Sequence, residues 1–224
     1  MPTYFSRTKD GAALDFYRDF YVPFLTGFAD AINAVDESAF FFFEPIPNEH
    51  PPTIPSDAKW LSSAVYAPHW YDLSAVFSKS FTGYITHDVQ GLSKGTRNIF
   101  QATYFGLFGA RRNYTMQIRN VVEAGLKKIG KTPCIIGECG IPMDLNSRGA
   151  FESGDYTHHT NFLDAVISSL DVPLLFKIRP TLLVSHCGII MHSIATSWGI
   201  CGMARISRCS PHRIQILSDK LQRV

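Results

Sequence analysis

The stretch KTPCIIGECGIPMD, Lys131 to Asp144, runs apolar through Cys134-Ile135-Ile136 and stops at an acid, Glu138, set between Gly137 and Gly140. Such a run suits a strand buried on both faces, as in a parallel sheet, and Gly140 with Pro142 marks the turn after it. A carboxylate at that point stands on a rigid mount at the C-terminal end of a strand, where α/β folds place their chemistry. In VYAPHWYD, His69 and Tyr71 lie two apart, so on an extended strand end they share a face and project into one pocket. Hydrolysis of a glycosidic bond with retention needs two carboxylates about 5 Å apart, one a nucleophile and one an acid/base. Glu138 can be that nucleophile, with His69 and Tyr71 positioning it or tuning its protonation. Each residue also has a structural reading: a strand-end Glu as a cap or ion-pair partner, and a His-x-Tyr pair as a surface aromatic patch or a satisfied core histidine.

Positioning these groups takes alternating strands and helices. Phe16, Phe20, Phe24, Phe28, Ile32 and Val35 recur at three- and four-residue spacing, which predicts an amphipathic helix over 15–35, interrupted at Pro23. Ala39 to Phe43 reads as a buried strand ending at Glu44-Pro45, and Ala64 to Pro68 as a second strand that delivers His69 to Asp72. After a long connection rich in glycine and aromatics, Ile118, Val121, Val122, Leu126 and Ile129 share one face of a helix over 116–129 that Gly130 stops. The opening stretch is the third strand, and a helix over 155–170 follows it. This alternation predicts an α/β fold with a parallel sheet. Only three or four such units are present, whereas a complete eight-unit barrel typically takes about 250 residues.

The composition is that of a chain able to bury a core, with 46% hydrophobic and 18% charged residues. A net charge of +2 without basic clusters excludes an electrostatic argument for nucleic acid. The five cysteines show neither paired nor metal-type spacing, and Met1 begins no basic-apolar leader, which favours an intracellular setting. His158-His159 project about 100° apart on a helix and lack a suitably spaced carboxylate, so a solvated helix face is expected rather than a metal site. Cys139 has no evident histidine base and reads as a small packed side chain.

Three segments in order, FFFEPIPNE, VYAPHWYDL and IIGECGIPMDLNSRGAFESGDY, resemble the second half of the catalytic barrel in glycoside hydrolase family 5, in the group of endoglycoceramidases and fungal steryl β-glucosidases. The resemblance covers roughly Tyr4 to Leu170. It implies a partial TIM (β/α)8 barrel, about strands five to seven with their helices. It also implies a retaining β-glucosidase acting on a glycolipid such as a steryl glucoside or glucosylceramide, without metal or organic cofactor. Glu138 matches the family's nucleophile on strand seven, and His69 with Tyr71 its substrate-binding His-x-Tyr pair on strand six. Glu44 would end strand five. The family's acid/base glutamate, in an Asn-Glu motif on strand four, falls before Met1. Asn48-Glu49 imitates that motif but follows Pro-Ile-Pro in the loop after strand five, so the role is not transferred to it. Two alternatives stand beside this reading: a catalytically dead fragment lacking the acid/base and strand eight, and a glucan-degrading endoglycosidase.

The chain changes character near Asp171. Residues 1–170 hold 14 Lys and Arg against 17 Asp and Glu, whereas residues 171–224 hold 7 against 2 and three of the five cysteines. The family's strand-eight Trp-Asn-Tyr and its Gly-Asp-x-Trp-Asn-Gly-Glu-Asp segment are not there. Reading Cys187 to Met191 as TGT GGA ATT ATA ATG and shifting the frame gives TGG AAT TAT AAT, Trp-Asn-Tyr-Asn. The same shift across Gly199 to Ser207 gives Gly-Asp-Leu-Trp-Asn-Gly-Glu-Asp-Phe. Residues 1–170 are therefore expected to form the partial catalytic barrel, and 171–224 an irregular, frame-shifted tail that packs poorly. Thr181 to Ala204 carries no Lys, Arg, Asp or Glu, but its histidines and hydroxyl residues make it a poor membrane span, and none is expected.

Overall fold

The computed structural model describes residues 6–47 and 49–171. In chain order, a wide helical turn (Tyr17–Tyr21) leads into α1 (Val22–Asn33), β1 (Phe41–Phe43), a tight helical turn (Lys59–Ser63), β2 (Ala64–Tyr66), β3 (His69–Trp70) and α2 (Leu73–Ser78). Then follow β4 (Ile85–His87), α3 (Val89–Ser93), β5 (Thr103–Phe105), α4 (Gly106–Lys128), β6 (Glu138–Cys139), α5 (Gly149–Ser153) and α6 (Thr157–Asp171). The fold is mixed α/β.

Three segments lie side by side and run in parallel. β1 pairs with β2, placing Phe41 opposite Ala64 and Phe43 opposite Tyr66. β3 pairs with β6, placing His69 opposite Glu138 and Trp70 opposite Cys139. The ladder between these short strands is carried by single bonds: Ala67 N–H donates to Phe43 at 2.8 Å, Ile135 N–H to Tyr66 at 2.9 Å, and Gly137 N–H to Pro68 at 3.1 Å. Pro68 cannot donate in return, which breaks 64–70 into two strands while its carbonyl still accepts. Cys134, Ile135 and Ile136 are half-buried, not buried on both faces, because among the described residues no strand pairs along their outer side.

Two apolar clusters cover this layer. One joins Leu25 and Ala29 of α1 to Phe41, Phe43, Trp60, Ala64 and Tyr66. The other joins Trp70 and Cys139 to α4 and α6 through Ala110, Tyr114, Ile118, Phe162 and Val166, with Phe81 stacked on Phe162 at 4.3 Å. Gly125 lets α4 lie against the sheet: a Cβ there would meet the Tyr66 ring at 2.6 Å.

The helix expected over 15–35 forms, with a face roughly a quarter-turn round from the phenylalanine stripe inward, where Ile32 of that stripe packs beside Leu25 and Ala29. Leu25 and Ala29 are buried, while Phe16, Phe20, Phe24 and Phe28 stay 45–62% exposed. Pro23 lies in the first turn of α1, where the wide turn Tyr17–Tyr21 gives way to the α-helix, so the helical run changes form at the proline. The helix read from Met116 begins ten residues earlier, at Gly106, whose φ of +69° makes the turn out of β5, and it ends before Gly130 at φ +89°. The connection before it contains an antiparallel pair, β4 with β5, that the sequence pattern did not announce. The tail expectations for 172–224 lie outside the described residues, and of Asp171 only its place at the end of α6 is described.

Candidate active site

Parallel pairing of β3 with β6 puts His69 and Glu138 at the same level, and alternation sends Trp70 and Cys139 to the other face, where both are buried. Tyr71, one residue past β3, donates its phenolic O–H to Glu138 Oε1. His69 Nδ1 lies 3.5 Å from Glu138 Oε2. The three residues singled out by type and spacing therefore meet at one strand end, with the Glu138 side chain 29% exposed and that of His69 23%. Burial first, then the hydrogen bond and charge of Glu138, hold the Tyr71 phenol well above its ordinary value. Tyr71 thus remains a donor throughout the physiological range.

A layer of contacts beneath fixes this arrangement. Asp72, 3% exposed, caps α2 by accepting from Ala75 N–H at 3.1 Å and accepts from the Tyr114 hydroxyl at 2.6 Å. Burial, opposed by these hydrogen bonds, pushes its carboxyl up. The Tyr114 ring packs 5.0 Å from Trp70, so residues on both sides of Tyr71 are anchored to α4. On the other strand, Gly137 explains one of the two glycines around the acid. A Cβ at Gly137 would stand 2.9 Å from the Ala67 carbonyl oxygen, too close for any other residue in this ladder.

A further residue enters from β1. Glu44 Oε2 contacts His69 Nε2, so the imidazole sits between two carboxylates, Glu44 and Glu138. Sequence reading placed Glu44 at a strand end without giving it a part in the site. The signal was present, since FFFEP repeats the pattern of an apolar run closing on an acid that drew attention to Glu138.

The loop after β6 is tied to the loop after α2. Lys79 pairs with Asp144, and the Asn146 side chain both accepts from Phe81 N–H at 3.1 Å and donates to its carbonyl at 2.9 Å. His158 is exposed as expected, but His159 is not on a solvated face: it is buried, with Nε2 3.0 Å from the Met143 carbonyl. The odd position of a consecutive pair turns inward, which a helical angle alone does not assign to one residue or the other. Cys139 packs in the core as expected. Among the described residues no three His, Cys, Asp or Glu side chains cluster as ligands for a metal ion, and no helix is long and apolar enough to cross a membrane.

No protein-family model matches the chain. It is 45% identical over 173 residues to a glucosylceramidase of Rhizopus delemar, covering 77% of this chain and 25% of that protein. Identity to a glucosylceramidase of Cryptococcus neoformans var. grubii is 40% over 176 residues, 77% of this chain and 23% of the relative. The chain is thus similar to a group of fungal glucosylceramidases and steryl glucosidases. A third member, the ergosteryl-beta-glucosidase of Saccharomyces cerevisiae, is 26% identical over 88% of this chain and 25% of its own length. The chain thus spans about a quarter of the group members it matches. Its fold matches crystal structures of Cryptococcus neoformans sterylglucosidase 1 with a TM-score of 0.67 at 22% identity, over 75% of this chain and 24% of theirs.

Proposed function

We propose that this chain is the C-terminal part of the catalytic barrel of a retaining β-glucosidase whose substrate is a glycolipid, a steryl glucoside or a glucosylceramide. The observation that carries the reading is the Tyr71–Glu138–His69 constellation at the C-terminal ends of adjacent parallel strands. β1, the β2–β3 segment and β6 correspond in this reading to barrel strands five, six and seven. Their parallel order supports it, as do the names of the relatives.

In the reaction, one oxygen of Glu138 attacks the anomeric carbon as the bond to the lipid oxygen breaks, giving a glycosyl-enzyme ester. Water then attacks the same carbon, giving its proton back to the acid/base that protonated the departing alcohol, and the ester bond breaks to release the sugar and the carboxylate. Tyr71 holds Oε1 by its hydrogen bond, and Oε2, beside His69 Nδ1 at 3.5 Å, is the oxygen left to attack. The proton for the departing lipid alcohol comes, by the family resemblance, from a glutamate on the strand before β1, outside these 224 residues. Glu44 does not take that role here, because its carboxylate is engaged with His69.

A glucoside with an activated leaving group tests this directly. 2,4-Dinitrophenolate departs without a proton, so a 2,4-dinitrophenyl β-glucoside needs only the nucleophile and its orientation. The full chain is expected to release dinitrophenolate and Glu138→Gln to release none above background. Equal rates for the two would overturn the assignment of Glu138.

A further inference from the structure

We propose that Glu44 is a positioning residue of this site, holding the His69 imidazole through its Nε2–H so that the Nδ1 edge faces Glu138. The inference rests on the reading of Glu138 as nucleophile and extends it to a residue on a third strand. Its basis is the row Glu44–His69–Glu138, in which one ring touches a carboxylate with each nitrogen: Glu44 Oε2 at Nε2, and Glu138 Oε2 3.5 Å from Nδ1. A ring gripped at one nitrogen cannot flip or rotate without losing that bond, so the place of its Nδ1 edge beside Glu138 is set with it. Precision of this kind is what a nucleophile needs, because the carboxylate oxygen must meet the anomeric carbon along one line.

An ion pair with a half-exposed acid is ordinarily a weak surface contact. Glu44 differs in how its backbone is held. Its carbonyl accepts from the Tyr21 hydroxyl, and two residues on, Ile46 N–H donates to the Tyr17 hydroxyl at 3.0 Å. Between them Pro45 has no N–H, so the strand ladder cannot continue there, and two side chains from the turn before α1 take its place. Before it, Phe43 is locked into the sheet by the bond from Ala67 N–H at 2.8 Å. Burial, followed by the nearby charge of Glu44, pushes the Tyr21 phenol up to about 12, which keeps it a donor to this carbonyl under all ordinary conditions. Glu44 is therefore mounted from both sides, and the helical turn at Tyr17–Tyr21 becomes part of the support of the site.

The test pairs a spectroscopic readout that needs no turnover with a kinetic one. In the full chain labelled with 15N-histidine, the His69 ring signals are assigned by their loss in His69→Gln. Wild type is expected to show a protonated Nε2 with the shift of a hydrogen bond to a carboxylate. Glu44→Ala should lose that shift, and Glu44→Gln, which keeps an acceptor oxygen, should retain part of it. On the 2,4-dinitrophenyl β-glucoside, Glu44→Ala should lower kcat roughly tenfold to a hundredfold with little change in KM, and Tyr21→Phe should give a smaller fall of the same kind. A wild-type ring signature in Glu44→Ala overturns the proposal. Loss of the signature in a chain that releases no dinitrophenolate in any form supports the Glu44–His69 mount and overturns the glycosidase reading, so the two failures are told apart.

Discussion

Tyr71 reaches across from the end of β3 to donate its phenolic hydrogen to Glu138 on the neighbouring strand. That bond joins residues 67 positions apart and exists because His69 and Glu138 lie opposite each other in a parallel ladder. Removing it with Tyr71→Phe leaves the ring and frees the carboxylate to rotate. A misplacement on the order of 1 Å can cost about a hundredfold. The expected outcome is a loss of kcat approaching that size on the dinitrophenyl glucoside, with the circular dichroism spectrum unchanged. A rate within twofold of wild type would mean that the bond does not orient the nucleophile.

The same strand pairing makes Gly137 irreplaceable. Gly137→Ala places a Cβ against the Ala67 carbonyl oxygen, and backbone cannot yield as a side-chain tip can. A loss of about 1–3 kcal/mol is expected from urea unfolding, as for other overpacked sites. Stability equal to wild type would show that the strands are further apart than described.

Asp72 depends on Tyr114 for one of its two buried oxygens. Tyr114→Phe leaves that oxygen without its donor, which costs about 1–3 kcal/mol for a buried polar group. The fall should be visible in the urea midpoint at pH 7. It should be smaller at a pH low enough to protonate Asp72, since burial raises that carboxyl and the charged form is the one that suffers most. A loss that is the same at both pH values would contradict the arrangement.

Several phenols are held above their ordinary value of 10.0 chiefly by burial: Tyr21, pushed up to about 12, and further Tyr66, Tyr71 and Tyr114. A group whose folded value is raised contributes stability that is complete below its unfolded value and is lost as pH climbs through the folded one. Unfolding is therefore expected between about pH 10 and 12, with phenolate absorbance and loss of ellipticity rising together. Titration of most tyrosines near pH 10 with the native spectrum intact would be the contrary result.

How much of this was legible beforehand differs by element. Glu138, His69 and Tyr71 could be found because strand periodicity is two and the acid closes an apolar run, features that survive in a single sequence. The inward face of α1 could not. The phenylalanines at 24 and 28, with Phe16 and Phe20 before the helix, form the more apolar stripe, yet the smaller Leu25 and Ala29 fit against Phe41 and Trp60. Pattern reports where apolar residues lie, whereas the core takes those whose size suits the gap. Leu25→Ala is accordingly expected to cost about 2–5 kcal/mol, and Phe20→Ser to stay within about 0.5 kcal/mol; the reverse ranking in urea unfolding would refute this face. The antiparallel β4–β5 pair was hidden for another reason: each strand has three residues, too few to display an alternation. Glu44 was visible as a strand-end acid, but its contact with His69 depends on the side-by-side order of three strands, which spacing along the chain does not encode.

The central claim is that Glu138 is the nucleophile that bonds to the anomeric carbon in a retaining glucosidase, and covalent trapping tests it most directly. 2-Deoxy-2-fluoro-β-glucosyl fluoride loses fluoride without a proton donor as a carboxylate oxygen bonds to C1, and the 2-fluoro group slows hydrolysis of the resulting ester. After incubation with the full chain and proteolysis, mass spectrometry should find one fluoroglucosyl adduct, on the peptide containing Glu138, and none in Glu138→Gln. An adduct on a different carboxylate, or an unmodified Glu138 after prolonged exposure, would contradict the account.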